Sequence, residues 1–138
     1  EILKQANDVH TPVLTQLMCV KFMEKYNIDD YIEKNRKLYG EKCRLMLDTM
    51  EKCFPKGKVA WTVPDGGIFL WCTCPGIEDI TPVMNACLEE KVAIVPGSNF
   101  ETNMKLPSNK FRLNYSSETP ERIKAGVERL GKVLCEKL

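Results

Sequence analysis

Residues 111–116 read Phe111-Arg112-Leu113-Asn114-Tyr115-Ser116, and their alternation decides how the chain is taken. Apolar and polar side chains change places step by step, the period of a strand with one buried face. An arginine inside such a run is costly to bury unpaired, yet its planar fork suits a carboxylate held by two parallel hydrogen bonds. Arg112 is therefore the candidate grip for the carboxylate of a small substrate. Taken alone, the residue also admits a structural reading, an arginine paired with a core carboxylate. Asn114 and Tyr115 are candidate supports of Arg112, against the simpler reading that alternation packs one and exposes the other.

The flanks extend this strand into a domain. Upstream lies the Pro/Gly loop Val95-Pro96-Gly97-Ser98-Asn99-Phe100, in which Ser98 and Asn99 carry hydrogen-bonding groups for a substrate or cofactor. Downstream, Thr119-Pro120 pairs an N-cap with a proline at the first helical position. The helix it opens carries Ile123, Val127, Leu130 and Leu134 on one stripe, with Gly126 beside it for close packing. Thr81-Pro82 repeats the signature, ahead of Val83 and Cys87 on one helix face, and Val92–Val95 follows as a short buried strand. Lys58–Val63 and Ile68–Cys72 read as two strands about the turn Pro64-Asp65-Gly66-Gly67, a hairpin. Trp61 and Trp71 lie on it as core or interface residues.

Further upstream, Asp29 or Asp30 caps a long helix to Cys53 with the stripe Ile32, Tyr39, Cys43, Met46 and Met50. Its basic residues Lys34, Arg36, Lys37, Lys42 and Arg44 interleave with Glu33, Glu41 and Asp48, as on a solvated face. The opening stretch is helical by apolar spacing, with Thr11 capping a fresh start at Pro12. The order is helix, helix, strand, strand, helix, strand, strand, helix. It predicts an α/β two-layer domain of the α+β kind, a small, mostly antiparallel sheet of about four strands with helices mainly on one face.

Composition narrows the function. The chain has 138 residues, 43% hydrophobic and 28% charged, an ordinary globular balance with size for one domain. A net charge of +1 with both signs mixed argues against a nucleic-acid surface. No apolar run approaches the ~20 residues of a membrane span. Seven cysteines, an odd number without a secretory signal, predict reduced thiols and a cytoplasmic protein. Cys19, Cys43 and Cys87 fall among apolar residues as core thiols. Cys72-Thr73-Cys74 lacks metal-ligand spacing, so no metal site is expected, and His10 is a single histidine without a marked catalytic partner. Glu1-Ile2-Leu3-Lys4 reads as mid-helix, so the chain is taken as a piece of a longer protein, with apolar surface exposed around its N-terminal helices.

Three motifs, Pro64-Asp65-Gly66-Gly67-Ile68-Phe69-Leu70-Trp71, Val95-Pro96-Gly97-Ser98-Asn99-Phe100 and Phe111-Arg112-Leu113-Asn114-Tyr115-Ser116, occur in that order. Together they resemble the C-terminal small domain of fold-type-I pyridoxal-phosphate aminotransferases, in the aminoadipate/kynurenine branch. Arg122–Leu130 is similar to that family's closing helix, and the helix from near Asp30 to the one linking its large and small domains. The resemblance implies that residues 1–28 lead from a large domain and that residues 29–138 are the small domain. It implies that Arg112 holds the α-carboxylate of an amino acid or 2-oxo acid, and that Pro96, Gly97, Ser98, Asn99 and Phe100 lie near the active-site mouth.

It also implies what the chain leaves to others. The Schiff-base lysine, the carboxylate on the pyridinium nitrogen and the phosphate loop belong to the large domain. None of the fifteen lysines here stands in a Ser-x-x-Lys context. No catalytic lysine is thus expected in this chain, and no cofactor on the fragment, which alone is inactive. Pyridoxal phosphate is expected in the intact enzyme, a homodimer acting on an amino acid and a 2-oxo acid, without nucleic acid or membrane. Two rivals are an aminotransferase-like effector domain of a winged-helix regulator and a free-standing α/β interaction module.

Overall fold

The computed structural model describes residues 2–7 and 10–138, which gather into two units, Glu1–Lys37 and Leu38–Leu138. The first holds α1 (Ile2–Asn7), α2 (Val13–Lys25) and the start of α3 (Ile28–Cys53). Pro12, rather than Thr11, is the N-cap of α2, and no side chain caps that end. The Thr11 carbonyl accepts instead from Gln16 Nε2 at 2.7 Å. Asn27, not Asp29 or Asp30, caps α3, its Oδ1 accepting the Asp29 N–H at 3.0 Å. The two aspartates occupy the first turn, where negative charge meets the positive end of the helix. No side chain of α2 is buried, and Leu14 and Met18 are 72% and 64% exposed, so the apolar surface expected here is present. Cys19 is exposed with them, outside any core.

The second unit is built on a four-stranded sheet of β1 (Ala60–Trp61), β2 (Phe69–Thr73), β3 (Val95–Pro96) and β4 (Lys110–Asn114). The strand order is β1-β2-β4-β3 and every neighbouring pair is antiparallel. β1 and β2 form the expected hairpin, with Gly67 of its turn at φ +87°. Opposed residues alternate by face. Leu70 lies across from Leu113 and Cys72 from Phe111, all four buried. They pack with Met50 of α3, with Val83 and Cys87 of α4 (Thr81–Glu89), and with Ile123, Val127 and Leu130 of α5 (Pro120–Lys137). The helices thus cover one face of the sheet, as the pattern predicted. The other face is left to Phe69, Trp71, Thr73 and Arg112.

Details of the helix ends depart from expectation in instructive ways. Thr119 caps α5, accepting from the Arg122 N–H. Thr81 does not cap α4 but lies in its first turn, because Asp79 Oδ1 takes both its N–H at 3.0 Å and its hydroxyl at 2.8 Å. β3 begins at Val95 rather than Val92, since the preceding residues are spent closing α4. The Lys91 N–H reaches the Leu88 carbonyl and the Val92 N–H the Cys87 carbonyl, which puts Lys91 at φ +59°. Glycine fits that position without the Cβ penalty, so Lys91→Gly is expected to stabilise the chain by ~1 kcal/mol, read from urea denaturation midpoints. Lys42, assigned to the solvated face of α3, donates to the Ser116 carbonyl at 2.7 Å. The close-packing glycine of α5 is Gly131 rather than Gly126. A Cβ at Gly131 would meet the Cys53 carbonyl oxygen at 2.7 Å, whereas one at Gly126 meets nothing within 4 Å.

Burial gives the fold an alkaline limit. Burial pushes the Cys72 thiol up to about 12, aided by neighbouring Cys74, and lifts Cys74 and Cys87 to about 11. Burial, then the Cys43 thiol, raises the Tyr115 hydroxyl to about 12. Each raised value favours the protonated form in the folded state. The associated stability is complete below the ordinary thiol value of 9.0 and is lost as pH climbs through 11 to 12. Thermal melts should be flat with respect to these groups below pH 9 and fall steadily above it.

Candidate functional site

Arg112 stands on the uncovered face of the sheet, opposite Trp71 on one side and Val95 on the other. Its guanidinium carbon is 3.9 Å from the centroid of the Phe69 ring and 5.0 Å from that of Phe100. Phe100 meets Trp71 edge-on at 5.3 Å and 77°. Cations are drawn to ring faces, and planar guanidinium also stacks on them, so the rings fix the arginine's orientation without neutralising it. Its Nε is buried and, among the described residues, has no hydrogen-bond partner. Among the described residues the ion pairs join Lys21 to Glu24, Arg36 to Glu33 and Arg122 to Glu118, all at the surface, and none involves Arg112. The core carboxylate of the structural reading is therefore absent from the described residues.

The Pro/Gly loop delivers Phe100 to this place. Pro96 pairs with Phe111 at the sheet edge, and Gly97–Phe100 then coil into a short 3-10 helix. A side chain at Gly97 would strike Ser108 Oγ, with Lys110 Cβ only 2.9 Å away, so the helix closes against β4 because residue 97 is glycine. Of the expected loop residues, Phe100 contacts Arg112, while Ser98 is half-buried and Asn99 exposed on the same turn.

Asn114 and Tyr115 divide as alternation predicted. Tyr115 is buried, and its hydroxyl donates to the Gly67 carbonyl at 2.9 Å, tying the end of β4 to the hairpin turn. Asn114 is exposed and turns its Oδ1 to the Ser116 N–H at 2.8 Å and to the hydroxyls of Ser116 and Ser117. That amide organises the chain leaving β4 and leaves the Arg112 Nε unpartnered.

Phe69 is the neighbour that sequence reading passed over. Its signal was present: Ile68–Cys72 is apolar at both parities, so one set of side chains has to face away from the helices. Among the described residues no group of three or more metal-ligating side chains forms, and no helix is long and apolar enough to cross a membrane.

A family model described as aminotransferase class I and II matches residues 1–130. A 2-aminoadipate transaminase of Thermus thermophilus is 37% identical over 95% of the chain and 32% of its own length. An uncharacterised aminotransferase of Saccharolobus solfataricus is 34% identical over the whole chain and 34% of its own length. The crystal structure of a Pyrococcus horikoshii kynurenine aminotransferase superposes with a TM-score of 0.87 at 33% identity, covering 99% of this chain and 33% of that one. The chain spans about a third of the length of these relatives.

Proposed function

The chain belongs to the class I and II aminotransferase family, and on that premise we propose that the intact protein is a pyridoxal-phosphate-dependent aminotransferase in which this stretch holds the substrate. Arg112 is assigned to the carboxylate of the amino acid or 2-oxo acid. One observation carries the assignment, a ring-held guanidinium whose buried Nε has no partner, and which pairs with no carboxylate, among the described residues. Such a cation is costly unless something anionic arrives to pair with it. A fork fixed before binding orients the substrate as well as attracting it. Phe69 and Phe100 hold the fork, Gly97 lets Phe100 reach it, and Asn114 secures the strand's exit.

Pyridoxal phosphate, when bound, supplies the electron sink for the bonds at the amino-bearing carbon. The side chains touching Arg112 do not fit a cradle for it, being aromatic rings without a carboxylate for the pyridinium nitrogen. The lysine, that carboxylate and the phosphate loop are accordingly assigned to the large domain of the same parent chain. Residues 29–138 are then the small domain and residues 1–28 the segment entering it. A homodimeric, cytoplasmic parent belongs to the same reading. Relatives named as aminotransferases at a third identity favour it over an effector domain or a free-standing module.

The test is an assay of the intact protein for amino-group transfer to 2-oxo acids. 2-Aminoadipate and kynurenine are the first donors, set beside the corresponding amines lacking the α-carboxylate. Turnover that requires the carboxylate supports the reading. Amines turned over as fast as amino acids would remove Arg112 from its role.

A further inference from the structure

Away from Arg112, α5 meets the end of α3 at Gly131, whose missing side chain lets the helix touch the backbone of Cys53. One turn further on is Cys135, on the same side of α5 as Gly131. It is exposed, Cys53 is half-buried, and the Cys135 Sγ lies 4.0 Å from the Cys53 carbonyl oxygen. Both cysteines line one surface hollow, with Glu128, Arg129 and Lys132 at its rim.

We infer that Cys53 and Cys135 form a thiol modification site, a pair placed to close into an intramolecular disulfide that ties α5 to α3. A disulfide needs Cα atoms about 4.4–6.8 Å apart. Gly131, one turn before Cys135, brings the backbone of α5 against Cys53. The Cys135 sulfur, 4.0 Å from the Cys53 carbonyl oxygen, already lies against the residue it would bond to. Other thiols of the second unit are poorly placed to compete. Cys72, Cys74 and Cys87 are buried in the core and held protonated there, and half-buried Cys43 lies against the Tyr115 hydroxyl.

The oxidant is a small disulfide of the glutathione kind. Arg129 and Lys132 outweigh Glu128 at the rim, which suits such an anionic reagent. The exposed Cys135 thiolate attacks one sulfur of the oxidant, breaking its S–S bond and expelling one thiolate. The Cys53 thiolate then attacks the Cys135 sulfur, forming the protein disulfide and expelling the second thiolate. Two protons leave the protein thiols, and with the two electrons they end on the two thiols into which the one oxidant molecule is split. The bond bridges 82 positions of the chain, so it restricts the unfolded state strongly.

The experiment incubates the full chain with glutathione disulfide, alkylates the remaining thiols, and maps peptides by mass spectrometry without reduction. The expected result is a loss of two hydrogens, a linked peptide pair carrying Cys53 and Cys135, and a melting temperature several degrees above that of the reduced chain. Cys135→Ser should lose the linkage and the rise together. A stable mixed disulfide on Cys135 with Cys53 still alkylated, or either cysteine linked elsewhere, would overturn the proposal. So would an oxidised chain that melts no higher than the reduced one.

Discussion

Arg112→Lys in the intact protein is expected, on the proposed transaminase reading, to lower kcat/KM for amino acid and 2-oxo acid substrates by ~10²- to 10³-fold, while leaving the melting temperature nearly unchanged. Each charge-assisted hydrogen bond is worth ~1.5–3 kcal/mol, and lysine keeps the charge while losing the planar pair of donors. Lysine also lacks the flat face that Phe69 meets at 3.9 Å, so the surviving charge is no longer held in place. The loss should therefore appear in kcat as well as KM, because orientation is part of what the fork supplies. The fold should survive, since Arg112 stands on the sheet face that the helices leave open, away from Leu70, Cys72, Phe111 and Leu113. Steady-state kinetics on both substrates, beside a thermal melt, separate the two effects. An unchanged kcat/KM would assign the arginine a structural role.

Two glycines of α5 should answer the same substitution with opposite signs. Alanine normally gains ~1 kcal/mol over glycine inside a helix. At Gly126 nothing lies within 4 Å of the new methyl, so Gly126→Ala should stabilise the chain by ~0.5–1 kcal/mol. At Gly131 the methyl meets the Cys53 carbonyl oxygen at 2.7 Å and its Cβ at 2.9 Å. A backbone oxygen in a packed helix cannot swing aside, and overpacking costs ~1–3 kcal/mol beyond any propensity gain. Gly131→Ala should lower the melting temperature by about 5 °C or more, and Gly126→Ala should raise it by a few degrees. Equal shifts in calorimetry would mean that α5 and the end of α3 are not in contact.

The same pair of glycines shows where sequence reading ends. The period of Ile123, Val127, Leu130 and Leu134 located α5 and its buried stripe, and Thr119 marked its start. Which glycine bears the helix contact depends on Cys53, far away in sequence, and nothing local announces it. The hairpin was legible because Asp65-Gly66-Gly67 can adopt the turn between two apolar runs. The pairing of β2 with β4 was not, since the residues joined are 37 to 45 positions apart and α4 and β3 lie between. Short strands were overextended for a related reason. β1 and β3 keep two residues each because the ladder, not side-chain propensity, decides their length.

At the candidate site, Arg112 itself could be singled out from its run, as could the loop that carries Phe100. The approach of Phe69, Trp71 and Phe100 to Arg112 is a product of register across three segments, so only folding reveals it. Alternation in the sequence already admits an exposed Asn114, and its carboxamide oxygen accepts from Ser116 and Ser117, the local competition that asparagine near a strand end commonly enters.

The outer members of the sheet also govern how the chain behaves in company. A free strand edge is a template on which another chain can grow, the first event in fibril formation. Here both templates are poor. β1 offers two residues, and β3 offers two of which one is Pro96, with no N–H to lend. The apolar side chains of α2 lie open to other molecules, but the contacts they make are between side chains and do not propagate a backbone ladder. Contact between copies of this chain therefore has little backbone edge from which a fibril could be seeded.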